Sequence, residues 1–227
     1  MLLPLLLSLG QWQNNKAERK AQLQQDYLQR AGEEPLHLDT RILMPADRYR
    51  QVTARGQYVS QYQILLDNQV HQGRVGYQLV TPLKIEGSDR HVLVYRGWLP
   101  AGKDRNIIPL IETPTGLVEV TGIADRPSGQ YLELESQNTA NGWQPVWQNL
   151  DIRRYQASVP FAVQEMAIRL APDSNAGGYV RDWPVPDAKV DMHRGYAFQW
   201  YALAVMLTLY YLFTQFRKPS ESPQHVI

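Results

Sequence analysis

The feature that most constrains this chain is an uncharged run near its C-terminal end, from Gly195 to Phe216. As a helix it would be about 30 Å long, which matches the hydrocarbon core of a bilayer. Tyr196, Trp200 and Tyr201 cluster at one end and Tyr210 and Tyr211 at the other, as in the interfacial belts of membrane helices. Gln199 and Thr208 are too few to form the polar face of a soluble helix. The run therefore predicts a transmembrane helix over 195–216.

The N-terminal stretch MLLPLLLSLGQW is also apolar, but as a helix it would reach only about 18 Å. It lacks the basic start and the small-residue cleavage site of a signal peptide. We expect a transmembrane segment over 1–13 whose first residues lie upstream of this sequence. A polar helix over 14–31 should follow, because this stretch is rich in helix-forming residues and is ended by Gly32 and Pro35.

Between 32 and 172 the sequence changes to short β-branched and aromatic runs, separated by turn sequences such as EGSD and PAGKD. Seven runs predict strands: YRQVTARGQYV, QYQILLDNQ, VGYQLVTPLKI, HVLVYRGWLP, GLVEVTGIA, YLELES and FAVQEMAIRLA. LDIRRYQ at 150–156 predicts one short helix. The fold class is therefore mainly β, an antiparallel barrel or sandwich-like domain between two transmembrane segments.

The remaining segments connect this domain to the membrane. Residues 173–194 contain several Pro and Gly and predict a linker. Arg217 and Lys218 follow the second span, which favours a cytoplasmic tail over 217–227 and a β-domain outside the cytoplasm. Basic residues that also follow the first apolar stretch make this charge rule a weak guide.

Composition excludes several classes of function. Lys and Arg total 23 against 22 Asp and Glu, so the chain has no basic surplus for nucleic acid. Cysteine is absent, which removes disulfides, thiolate nucleophiles and thiolate metal sites. The five histidines lack a metal-ligand spacing, and the chain has no nucleophile elbow, P-loop or dinucleotide fingerprint. We therefore predict a protein that is not an enzyme.

The motif RGWLP at 96–100 is one candidate site, because Arg and Trp stand where a strand meets a Pro-containing turn. Trp98 could cap the core while Arg96 pairs with a neighbouring strand, and this packing interpretation is the more common one. In the functional alternative, Arg96, Gly97 and Trp98 form a docking surface for a partner.

His193 is the second candidate, at the entry of the predicted membrane helix. A lone imidazole there is most often a polar boundary residue. At about 100° per residue, however, Ala197, Trp200, Ala204 and Tyr211 fall on the same side of the helix. Such a stripe leaves room for a flat apolar group, and neutral imidazole is a common ligand of haem iron. Arg194 could meet a haem propionate or, more simply, lipid phosphate.

Several segments together carry a family resemblance. LGQWQ, YRQVTARGQY, GYQLVTPL, VLVYRGWLP and HRGYAFQWYALA occur in this order across nearly the whole chain. In this combination the chain resembles the Surfeit-locus-one family of assembly factors for haem–copper terminal oxidases. The resemblance implies two membrane spans, with a β-rich domain between them that faces the periplasm in bacteria. It also implies a place in the inner (plasma) membrane.

The same resemblance implies partners and site residues. Oxidase subunit I would be the client, and this chain would carry haem a to it. A haem a synthase and membrane lipid would be further partners. His193 stands where bacterial members have a haem-binding histidine, Trp200 and Tyr196 belong to the same motif, and Trp12 matches the aromatic of the first motif. The chain departs from the family pattern at two positions. Lys16 stands where many members have Arg, and Tyr95 stands where Asn is common.

Three alternatives remain open from the sequence. A periplasmic scaffold could bind subunit I without ever holding haem, with His193 as a simple boundary residue. An enzyme of the cell envelope would require a polar pocket that contains groups with shifted pKa values. Copper delivery is disfavoured, because the chain has no cysteine and only 5 methionines, none of them clustered.

Overall fold

The computed structural model describes residues 2–39, 41–102, 107–127, 143–183 and 189–216. The chain forms two compact units, one from Met1–Asp26 with Val185–Ile227 and the other from Tyr27–Pro184. The helices among the described residues are α1 (Leu2–Ala31), α2 (Ile152–Ser158) and α3 (Val190–Phe216). The strands are β1 (Leu36–Leu38), β2 (Gln51–Tyr58), β3 (Ile64–His71), β4 (Arg74–Ile85), β5 (Arg90–Pro100), β6 (Leu117–Asp125), β7 (Val146–Trp147) and β8 (Ala162–Leu170).

Five strands of the second unit close into a ring. Neighbours pair in the order β2, β6, β8, β5 and β4, and β4 returns to β2 where Gly56–Tyr58 pair with Leu83–Ile85. The long strand β4 makes this possible, because its first half pairs with β3 and its second half with β2. β1 adds to β2, and β7 adds to β3. The prediction of a mainly β barrel agrees with this unit.

The prediction of a purely antiparallel sheet is wrong. The described strands form a mixed sheet, in which β1–β2, β3–β7 and β5–β8 are parallel pairs. Parallel neighbours require a long crossover, and β8 follows a connection that includes α2. Six predicted strands and the helix over 150–156 correspond to observed elements. The predicted strand YLELES and the tail over 217–227 lie outside the described residues.

Apolar residues at alternate positions along the strands fill the barrel. Burial alternates along β2, where Val52, Ala54 and Tyr58 are buried between exposed or half-buried neighbours, as expected for a strand with one face on the core. α2 begins at its N-cap Asp151, whose carboxylate accepts from the N–H groups of Arg153 and Arg154. The helix covers the barrel with a fully buried tyrosine, Tyr155.

The helical unit contains the candidate for membrane insertion. Within the described residues, α3 is the one helix that is long and apolar enough to cross a bilayer. It begins at Val190, five residues before the predicted start at Gly195. α1 is a continuous helix from Leu2 to Ala31, so the predicted segments 1–13 and 14–31 belong to one element. A second span through the first half of α1 stays a prediction.

Candidate functional site

His193 is buried in the helical unit, with only 7% of its surface exposed. Its Nδ1 lies 2.9 Å from Oε1 of Gln13 on α1. Because an amide oxygen can only accept, Nδ1 carries a proton, and in the neutral ring Nε2 then has the lone pair. Nε2 is itself buried and has no hydrogen-bond partner among the described residues. The ring therefore has one nitrogen fixed by a glutamine and one nitrogen with an unused lone pair.

The stripe predicted below His193 is partly buried. Ala197 and Ala204 are 4% and 3% exposed, Trp200 is half-buried, and Tyr211 is exposed. Leu6, Gly10 and Ala17 are the buried residues of α1 in the same unit. Gly10 lets the helices approach closely, since a Cβ built on it would lie 2.6 Å from the Tyr201 ring.

The other membrane-edge candidates lie on the surface. Tyr196 and Arg194 are exposed on α3, and Trp12 on α1 is 50% exposed, with Nζ of Lys16 4.9 Å from its ring centroid. The structure therefore brings His193, Ala197 and Ala204 to one buried face of the helical unit. Tyr196 and Trp12 are on exposed faces.

The RGW motif coincides with a β-bulge in β5. Val80 pairs with Tyr95 and Leu79 pairs with Gly97, so Arg96 is the extra residue on β5 between them. A bulge redirects a side chain and interrupts the ladder. Here the freed backbone bonds a returning segment, because the N–H of Tyr179 donates to the Arg96 carbonyl and the N–H of Trp98 donates to the Val180 carbonyl.

The Arg96 side chain is fully buried and is held by neutral oxygens. Its guanidinium donates to the carbonyls of Gly177 and Glu112, each at 2.7 Å, and to Oγ1 of Thr113 at 2.8 Å. Tyr58 lies under it, with the ring centroid 4.9 Å from Cζ. Burial lowers the pKa of the Arg96 guanidinium and raises the pKa of Tyr58 to about 12. Within the described residues, Arg96 forms no ion pair with a carboxylate.

Gly97 and Trp98, the next two residues of the motif, are buried beside Arg96. Gly97 has φ of +123°, and a Cβ there would lie 2.7 Å from the Val180 carbonyl oxygen. The indole of Trp98 is 8% exposed, covers Gly76 and donates from Nε1 to the Gln69 carbonyl at 2.8 Å. These geometries support the packing interpretation of RGWLP. In this arrangement the side chains of Arg96 and Trp98 offer almost no surface for the docking role that the sequence allowed.

Both candidate sites lie within one family match. The model of the SURF1 family matches residues 1–205. The chain belongs to the SURF1 family. This is a family of assembly factors associated with cytochrome oxidase. A comparison with curated proteins gives no significant match.

In this SURF1-family chain, sequence reasoning missed the residues that support the two motifs. Gln13 is the last residue of LGQWQ, directly after Trp12, yet nothing in a single sequence pairs it with a histidine 180 positions away. A local signal did exist on α1, because Leu6, Gly10 and Ala17 repeat at helical spacing and mark a close-packed face. Two of the oxygens around Arg96 are backbone carbonyls, for which no residue type is diagnostic.

Proposed function

We propose that this SURF1-family protein is an assembly factor for a haem–copper terminal oxidase of the cytochrome c oxidase type, anchored in the inner membrane by two spans with its barrel in the periplasm. It binds haem a through His193 and aids the insertion of haem into subunit I. Its role is binding and release, without catalysis. The observation that carries the proposal concerns His193 at the start of the apolar helix α3, whose buried Nε2 has no hydrogen-bond partner in the described part of the chain.

The residues around His193 fit an iron ligand. Histidines that bind metals nearly always donate their other ring N–H to an acceptor, which fixes the tautomer and raises the basicity of the ligating nitrogen. Gln13 supplies that acceptor at Nδ1. Haem a would supply a Lewis-acidic iron and an apolar macrocycle suited to the edge of a membrane. A single imidazole suits a carrier, because the cargo must also leave.

The test is the haem content of the detergent-purified full chain, produced in cells that make haem a. We expect a haem spectrum in the wild type and its loss in His193→Ala. His37→Ala is the matched control, because His37 is exposed on β1 and should leave the haem content unchanged. Gln13→Leu should weaken haem binding by roughly 10–100-fold, as expected for the loss of an outer-shell partner.

The outcomes separate the proposal from its alternative. Equal haem content in wild type and His193→Ala would remove His193 from haem binding. A wild-type protein that copurifies with subunit I and contains no haem would favour the scaffold. In the scaffold the barrel surface carries the function, together with Trp12 of the helical unit, whose exposure on α1 favours a contact with a membrane partner.

A further inference from the structure

The connection between β5 and β6 exposes large apolar side chains. Ile107, Ile108 and Leu110 are 66%, 45% and 90% exposed, whereas Ile111 packs against the buried cluster of Leu65 and Tyr77. The next residues are fixed to the barrel, because the Glu112 carbonyl and the Thr113 hydroxyl accept from Arg96. The apolar side chains therefore project from a segment that is fixed to the barrel at Ile111, Glu112 and Thr113. Exposed apolar groups presented in this way mark a contact surface.

A neighbouring hairpin extends this surface. Val70 and Val75 face each other across β3 and β4 and are 68% and 40% exposed. The backbone N–H of Ala101, at the start of the β5–β6 connection, donates to the Val75 carbonyl. Arg74, exposed at the hairpin tip, supplies a cation next to this apolar pair. Apolar side chains beside a cation suit the interface of a phospholipid bilayer.

The same end of the barrel is where the chain leaves for α3. A cavity of about 480 Å³ is lined by both Leu110 and Tyr179, so the β5–β6 loop and the departing segment are neighbours. The segment that continues toward α3 therefore begins beside the exposed apolar side chain of Leu110.

We propose that the β5–β6 loop inserts Ile107, Ile108 and Leu110 into the surface of the bilayer that contains α3, with Arg74 meeting lipid phosphate. This inference rests on the membrane anchoring in the proposed function, but it does not require haem binding. The loop would hold the barrel against the membrane in one orientation. A fixed orientation would serve a factor whose client is itself embedded in the bilayer.

The absence of cysteine allows a direct test. Single cysteines at Ile107, Leu110, Asp89 and Val205 would each be labelled with an environment-sensitive fluorophore. The full chain would then be reconstituted into vesicles of phosphatidylcholine and phosphatidylglycerol in equal amounts. Asp89 is the matched control, because it lies in the turn between β4 and β5, at the opposite end of β5 from the loop. Val205, exposed on α3, reports the anchor.

We expect the labels at 107 and 110 to be quenched by doxyl lipid and protected from aqueous iodide, while the label at 89 stays open to iodide. Iodide quenching at 107 and 110 equal to that at 89 would overturn the inference. Protection that appears only after oxidase is added would overturn it too, because the partner would then be a protein. Lipid quenching at 205 without lipid quenching at 110 would reject the insertion of the loop but keep the anchoring of α3. If lipid does not quench the label at 205, the membrane anchoring in the proposed function is itself rejected.

Discussion

At the scale of single residues, Arg96 is the side chain whose role the structure defines most clearly. Sequence reasoning selected it within RGWLP but left docking and packing open, because both uses favour Arg and Trp. The bulge in β5 turns the guanidinium inward onto the Gly177 and Glu112 carbonyls, and this geometry favours packing. The planar guanidinium of arginine can donate hydrogen bonds to several fixed oxygens at once, and the ammonium group of lysine cannot reproduce that geometry.

Arg96→Lys should therefore lower the free energy of unfolding by about 2–4 kcal/mol, because several charge-assisted hydrogen bonds to buried oxygens are lost while the charge is kept. The measurement is urea unfolding of the full chain in detergent, followed by tryptophan fluorescence. The same substitution at Arg55 is the control. Its side chain is 63% exposed and pairs with Glu86 on the surface, so the cost there should stay below about 1 kcal/mol. Equal losses in the two variants would contradict the inward role of Arg96.

His91 predicts a pH dependence of stability. Burial lowers its pKa below the ordinary value of 6.5, Lys84 on the paired strand adds to the shift, and a backbone hydrogen bond at Ala162 opposes it. The fold thus favours the neutral ring. Below about pH 6.5 the unfolded chain takes up a proton that the folded chain resists. Stability from this group is full above pH 6.5 and is lost as the pH falls through the lower pKa of the folded state.

The check is a comparison of urea midpoints at about pH 7 and about pH 5. In the wild type the midpoint should fall with pH, and His91→Gln should remove part of that fall. His37→Gln, at an exposed position of β1, should keep the wild-type slope. An unchanged slope in His91→Gln would show that other groups account for the pH dependence.

At the scale of elements, the backbone of the RGW bulge is as important as its side chains. Gly97 stands at φ of +123°, and the carbonyl of Val180 occupies the space that a Cβ would need. The glycine therefore meets two requirements at once, an unusual backbone conformation and a close approach of the returning segment. The bulge joins the end of β5 to the chain that leads toward α3.

Gly97→Ala should destabilise the barrel more than Gly73→Ala. Gly73 also has a positive φ, of +75°, but a Cβ there would meet nothing within 4 Å. We expect about 1 kcal/mol for the backbone strain at Gly73 and at least about 2 kcal/mol at Gly97. Urea unfolding of both variants measures the difference. Similar costs would mean that the returning segment moves aside without loss.

The helices show what a sequence pattern can and cannot define. The change from apolar to polar residues near position 13 predicted two segments. However, positions 11 to 31 contain no glycine or proline, and α1 is one continuous helix. Composition reports the environment along a helix, whereas only capping and helix-breaking residues report its ends. α2 was predictable for that reason, because Asp151 stands at its start as an N-cap.

At the scale of the whole molecule, the closed ring is the property that sequence reasoning reached only in part. Short β-branched and aromatic runs, such as the one that contains Val92 and Val94, identified most strands correctly. The parallel pairing of β5 with β8 was not predictable, because pairing partners depend on contacts between distant positions. The site partners of His193 and Arg96 were missed for the same reason.

The seam between β2 and β4 should be the weakest closure of the ring. It consists of the three pairs from Gly56 to Tyr58, flanked by the bonds from Val59 N–H to the Pro82 carbonyl and from Glu86 N–H to the Arg55 carbonyl. Short pairings open locally at lower free energy than long ones. In hydrogen exchange, the amides of Val59 and Glu86 should exchange before those of Val92 and Val94 in β5. Simultaneous exchange would mean that the ring opens only by global unfolding.

The place of β8 in the ring also governs what a shortened chain would become. β8 is the last strand among the described residues, yet it lies between β5 and β6. During synthesis, the facing edges of those strands stay unpaired until residues 162–170 have emerged from the ribosome, and unpaired edges recruit other chains. A premature stop before Ala162 would therefore yield an aggregation-prone open sheet rather than a smaller working protein.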